Sequence, residues 1–274
     1  TNPNAIDLLK ENQDKINWDL LHSNPNAIEV LKYNQDKIDW CMLSSNINAI
    51  HLIKKRITYE YNLTFEEYIK LKNKVNWSDI CRYPYINIVH ILKKRIQYEK
   101  NLSKNNYNKL KYNEIINWRY ISANPNAIEL LKENQDKIHW DILSSNPNAI
   151  ELLKENQDKI CWTSLSTNSN AIKLLKENQD KICWTSLSTN SNAIKLLKNN
   201  KHKIYWYWLS SNPNAIDLLK DNQDKIDWNV LSVNQNAIDL LIENQHKINW
   251  NVLSSNPNAI DLLKKNQDKI NWKR

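Results

Sequence analysis

The groups in this chain that could carry out chemistry are six histidines, four cysteines and thirty aspartates and glutamates, spread over 274 residues. Their spacing gives a reaction little to use. His22, His51, His90, His139, His202 and His246 include no pair at i, i+4 and no H-E-x-x-H, the arrangement that turns two imidazoles toward one metal from a helix face. His51 and His90 recur at matching positions of two related segments, where a metal shared between neighbours is conceivable, but the expectation is that no histidine holds one. Cys41, Cys81, Cys161 and Cys183 lie far apart without a C-x-x-C, so neither disulfides nor structural zinc are expected. Phosphate-cradling loops, the dinucleotide fingerprint and the nucleophile elbow all depend on glycine, and the chain has none. Asp7, Glu29, Glu129, Glu151, Asp217, Asp239 and Asp261 form a row that Lys173 and Lys195 interrupt, which reads as a solvent-facing or binding stripe rather than a catalytic pair. The expectation is a non-enzymatic protein with no catalytic residue, no cofactor and no metal.

What the chain does have is a period. Trp18 and Trp40, and then Trp118, Trp140, Trp162, Trp184, Trp206, Trp228, Trp250 and Trp272, fall 22 residues apart, with Trp77 between the two series. Such self-similarity decides architecture before local propensity does. From one Trp to the residue before the next, the unit is W-x-x-L-S-x-N-P-N-A-I-x-L-L-K-x-N-Q-D-K-I-x, as in Trp140–Cys161. Asn146 is placed to cap a helix whose first position is Pro147, because proline has no N–H to leave unpaired there. Ile150, Leu152 and Leu153 give that helix an apolar stripe, and Asn156 is expected to end it in the left-handed conformation. The residue before Trp is Asn or Asp in seven of eleven cases, Asn271 among them, which reads as the cap of a second helix of one turn, α or 3₁₀. Strand alternation and hairpin dipeptides are absent.

One such unit buries too few side chains to offset the entropy of ordering it, so the units must stack. The predicted fold is an all-α solenoid of about ten two-helix, 22-residue units spanning residues 1–274, with Ala149 and its equivalents letting helices approach. Its tryptophans should form a core ladder, Trp162 on Trp184.

The repeat W-x-x-L-S-x-N-P-N-A-I-x-L-L-K-x-N-x-D-K-I resembles the short tandem repeats of proteins from amoeba-infecting giant DNA viruses, over Thr1–Trp40 and Trp118–Trp272. The abundance of Lys, Asn and Ile, which AT-rich codons supply, accords with such a source. The resemblance implies a viral interaction or structural protein and transfers no functional residue.

Between Trp40 and Trp118 the spacing lengthens to 37 and then 41 residues. The two long units resemble each other: His51-Leu-Ile-Lys-Lys-Arg-Ile-Thr-Tyr-Glu matches His90-Ile-Leu-Lys-Lys-Arg-Ile-Gln-Tyr-Glu. The first is expected to extend its helix to about Tyr61 and, through a Thr64/Glu67 capping box, to open an added helix near Phe65–Asn73. Ser103 lacks the matching Glu, and Tyr83-Pro-Tyr-Ile-Asn-Ile blurs the alignment. Residues 51–117 hold fourteen Lys/Arg against six Asp/Glu, while the rest balance, so the net charge of +8 lies here. Eight of the twelve tyrosines lie here as well, including Tyr83 and Tyr85.

The simplest account of that stretch is a pair of long helices with solvated lysine faces. As a contact region it suits an acidic protein surface first and nucleic acid second, since phosphates and unstacked bases also favour cations mixed with rings. The expected partner-binding residues are Lys54, Lys55, Arg56, Tyr59, Tyr61, Lys93, Lys94, Arg95 and Tyr98. The variable pairs after each Trp, Tyr207-Trp208 among them, match the format of one-repeat-per-base nucleic-acid readers, but the regular units balance in charge and so argue against it. Asn62, Asn76 and Asn101 begin N-x-S/T triplets that an Asn-rich chain produces by chance. No apolar run is long enough for a bilayer, and Thr1-Asn-Pro-Asn is not a signal peptide. The chain reads as intracellular, in host cytoplasm or virion, and, lacking an initiator Met and opening mid-repeat, as a fragment or processed chain. A protein-interaction scaffold with an unidentified protein partner is the function expected, with nucleic-acid binding or a structural virion role as alternatives and no membrane involvement.

Overall fold

The computed structural model describes residues 6–82 and 88–270; expectations resting on Thr1–Asn4, Tyr83, Tyr85, Asn271 and Trp272 lie outside them. The described residues are helix and turn without a strand, in two compact units, one ending at His139 and the other starting at Trp140. Each is an α-solenoid. In the second, the helices Trp162–Thr167, Trp184–Thr189, Trp206–Ser210, Trp228–Ser232 and Trp250–Leu253 pack in succession, each against the next.

The copy at Trp140 shows how one unit is made. A one-turn α-helix, Trp140–Leu143, leads through a turn into Ile150–Glu155 and then a 3₁₀ turn, Gln157–Lys159. The longer helix is shorter than expected because Asn146-Pro147-Asn148 forms a separate turn, with the Asn148 N–H donating to Asn146 Oδ1 at 3.1 Å and the Ala149 N–H to the Asn146 carbonyl. In two other copies of the second unit that turn is a regular 3₁₀ helix, Gln235–Ala237 and Pro257–Ala259. Leu143, Ala149, Leu152, Leu153 and Ile160 are buried, as the apolar spacing requires.

Two expectations fail. Asn156 is not left-handed: its φ is −132°, and it ends the helix by donating from Nδ2 to the Leu152 carbonyl at 2.9 Å. No described residue has positive φ, which is how a chain without glycine folds at all. The tryptophans, moreover, do not stack on one another. Among the described residues of the second unit there is no ring contact between successive repeat indoles; each is half-buried and covered instead by a lysine from the turn that closes its own copy. Lys159, Lys181, Lys203, Lys225, Lys247 and Lys269 lie 4.6–5.1 Å from the ring centres of Trp140, Trp162, Trp184, Trp206, Trp228 and Trp250. An indole face attracts a cation, and the lysine's methylene stem shields apolar surface that the neighbouring copy leaves open.

Copy is joined to copy by a buried polar ladder. Asn190 Nδ2 donates to the carbonyls of Ser166 and Asn168 in the preceding copy, at 3.0 and 3.1 Å, while its Oδ1 accepts from the Asn192 N–H. Asn168, Asn212, Asn234 and Asn256 repeat the pattern. Ser188 Oγ donates to the Trp184 carbonyl and accepts from the Tyr205 N–H at 3.1 Å, tying the start of the copy to its own last residue, from which the next copy begins. Both side chains use every group they have, and the asparagine is satisfied only when a neighbour is present in this register.

In the first unit the same serine position shows what it requires. His22 takes it, 1% exposed, with Nε2 accepting the Asp39 N–H at 2.8 Å. Ser44 accepts from the Asn76 N–H, and the Cys81 sulfur from that of Asn117. Ser, His and Cys share one property here, a small buried acceptor. Burial pushes the Cys81 thiol up to about 12, so it stays protonated.

The enlarged copies also lie in the first unit. Ile50–Tyr61 and Val89–Asn101 are its long helices. Thr64 and Glu67 form the expected capping box, but the helix it opens is Phe65–Lys70. It stops early because Asn73 is used elsewhere: Nδ2 donates to the Ile38 carbonyl and Oδ1 accepts from the Trp40 N–H at 2.7 Å. Ser103 caps only Lys104–Tyr107.

Candidate functional site

The basic motif shared by the enlarged copies divides between interior and surface. Arg95 is 1% exposed, and Arg56 is largely buried too. Each pairs with the glutamate one turn later, Arg56 with Glu60 and Arg95 with Glu99, both at 3.0 Å. Each also donates to a carbonyl of the returning chain, Arg56 to Asn73 and Arg95 to Glu114. Glu60 accepts the Val75 N–H and Glu99 the Ile116 N–H. The two arginine–glutamate pairs therefore clip the inserted segments back onto their own helices. The guanidiniums complete the tryptophan pattern, with Arg56 lying 5.2 Å from Trp40 and Arg95 4.9 Å from Trp77. Burial raises both carboxyls above the usual range, against the opposing pull of the backbone N–H and the arginine.

Arg56 and Arg95 are thus corrected from partner-binding residues to structural ones. The signal was present: Leu52, Ile53, Arg56, Ile57 and Glu60 occupy one helical stripe, and so do Ile91, Leu92, Arg95, Ile96 and Glu99. Tyr61 and Tyr98 are also turned inward, 6.0 Å apart, with Tyr61 beside Trp77 and Tyr98 beside Arg95. Lys93 is exposed but bonded to Glu133 at 2.6 Å. A further buried pair that the sequence did not suggest, Lys74–Glu114 at 2.6 Å, joins the two inserted segments.

Lys54, Lys55, Tyr59 and Lys94 remain. Lys55 and Tyr59 are exposed, and Tyr59 lies against the Arg56 guanidinium. Lys54 and Lys94 face a groove of about 230 Å³ between the long helices, lined also by Ile57, Thr58, Tyr61, His90 and Ile91. Among the described residues neither lysine has an ion-pair partner, in contrast to Arg56, Lys74, Lys93 and Arg95 of the same stretch. The groove therefore offers two free ammonium groups over an apolar floor. It has no built catalytic constellation: no described group of three or more His, Cys, Asp or Glu is arranged for a metal, and His51 and His90 are both exposed.

In the second unit the sequence reading missed a local imbalance. The charge outside residues 51–117 sums to zero only in aggregate; residues 172–205 carry seven lysines and two acids. Tyr205, Tyr207 and Trp208, at positions that hold smaller side chains in most other copies, are 52%, 53% and 44% exposed. No described helix is long and apolar enough to cross a membrane. Comparison with protein-family models, curated proteins and solved structures gives no match for this chain.

Proposed function

We propose that this protein is a non-enzymatic recognition scaffold and that the groove between Ile50–Tyr61 and Val89–Asn101 receives an acidic segment of a protein partner. The observation that carries this reading is the pair Lys54 and Lys94, which face one groove and have no anion of their own among the described residues. Ile57 and Ile91 beneath them suit an apolar side chain flanked by carboxylates, and a volume of about 230 Å³ suits one or two side chains. The internal ladder supports the rest of the proposal, because side chains common to the copies are consumed in holding copies together, leaving the differing ones to meet a partner. The likeness of the repeat to those of giant amoebal viruses extends the reading to a viral protein directed at a host component.

The test is fluorescence anisotropy of the full chain with labelled peptides that place a leucine or isoleucine between aspartates and glutamates. Binding that is lost in Lys54→Glu/Lys94→Glu and retained in Lys55→Ala is expected. Absence of binding at low salt, or equal binding to the double variant, would refute the assignment.

A further inference from the structure

In most regular copies the acid that opens the long helix is paired with the lysine three residues later: Asp7 with Lys10, Glu29 with Lys32, Glu129 with Lys132, Glu151 with Lys154 and Asp261 with Lys264. The copies at Trp162 and Trp184 replace that acid with Lys173 and Lys195, leaving Lys176 and Lys198 opposite a like charge. All four are exposed, and among the described residues none forms an ion pair; the Lys173 charge helps hold the Glu151 carboxyl down, but that carboxylate is bonded to Lys154. Like charges at this spacing are unfavourable within a helix, so the fold gains nothing from them. The second copy goes further. Its closing turn reads Lys201-His202-Lys203 where most regular copies have Gln-Asp-Lys and the copy at Trp228 has Gln-His-Lys, so it lacks the acid and adds a lysine.

That turn sets two basic side chains, His202 and the Lys203 that covers Trp184, beside Tyr205. A groove of about 600 Å³ is lined by Thr185, His202, Lys203 and Tyr205 among others, roomier than the one at Lys54. Beyond Tyr205, the next short helix exposes Tyr207 and Trp208, whose rings meet edge to face at 5.1 Å. The chain thus runs without interruption from unpaired lysines on Ile194–Lys198, through the Lys201–Lys203 turn, to three half-exposed aromatic rings.

We infer that this stretch, residues 172–208, binds single-stranded nucleic acid, the lysines meeting phosphates and the rings stacking on unpaired bases. Charge alone would suit any polyanion. The three rings favour nucleic acid over an acidic peptide, because every base has a face to stack and a carboxylate does not. They favour a single strand over a duplex, whose bases are already stacked.

The test uses the full chain and a labelled 20-nucleotide oligouridine, followed by anisotropy over a salt series. Two double variants borrow residues from other copies of the same chain, so each is compatible with the fold, and circular dichroism verifies this. Lys173→Glu/Lys195→Glu should weaken binding at least tenfold and flatten the log–log salt slope by about 1.4, the expectation for two lost phosphate contacts at about 0.7 each. Tyr207→Asn/Trp208→Val should weaken binding about tenfold or more with the slope unchanged, because stacking releases no counterions. The inference is overturned if the oligonucleotide does not bind at low salt, if a duplex binds equally well, or if a glutamate-rich peptide binds with the same dependence on Tyr207 and Trp208. It is overturned equally if only Lys54→Glu/Lys94→Glu abolishes oligonucleotide binding, which would place the site in the other groove.

Discussion

Asn190 illustrates why a residue usually found at surfaces sits inside this protein. At 3% exposure it satisfies two carbonyls of the preceding copy and caps its own turn, so its amide replaces water for three backbone groups at once. Removing the amide leaves those groups buried and unpaired, a larger loss than the hydrogen bonds' net worth. Asn190→Ala should therefore lower unfolding free energy by about 2–4 kcal/mol, measured by urea titration. Asn199→Ala, on the exposed end of the neighbouring helix, should stay within about 0.5 kcal/mol. The sequence made the capping half of this role legible, since Asn before Pro or Ser reads as a cap. The half that reaches 22 and 24 residues back was not legible, because a side-chain amide has two ends and only the local one leaves a pattern in sequence.

At the scale of the element, helix positions came through where apolar spacing and caps dictated them: the tryptophan-led helices, the long helices of the enlarged copies and the Thr64/Glu67 box all stand where expected. Boundaries moved where a polar side chain had a distant task, as at Asn73. The candidate site was half legible for the same reason. A run of Lys-Lys-Arg looks uniformly basic, but the helix turns Lys94 out and Arg95 in, and burial then makes Arg95 a packing residue with Glu99 as its counter-ion. Arg95→Ala should cost about 3–5 kcal/mol, since it strands a buried carboxylate. Lys94→Ala, one residue away, should leave stability within about 0.5 kcal/mol. Equal effects in a denaturant series would remove the division between interior and surface on which the site rests.

At the scale of the molecule, each copy leaves its polar ladder open at both faces, and only another copy closes it. That makes the 22-residue spacing a structural quantum rather than a sequence habit, and it frees the outward residues to differ from copy to copy. The near-identical copies at Trp162 and Trp184 permit a direct test. Excising residues 162–183 joins Cys161 to Trp184 and offers Asn190 the carbonyls of Ser144 and Asn146, the same two that Asn168 now uses. Excising residues 162–172 removes half that length and breaks every ladder contact across the junction. The decisive measurement is thermal unfolding of the two deletions followed by circular dichroism. The 22-residue deletion should keep the helical signal per residue and a single cooperative transition, while the 11-residue deletion should lose both; comparable loss in the two would contradict the account.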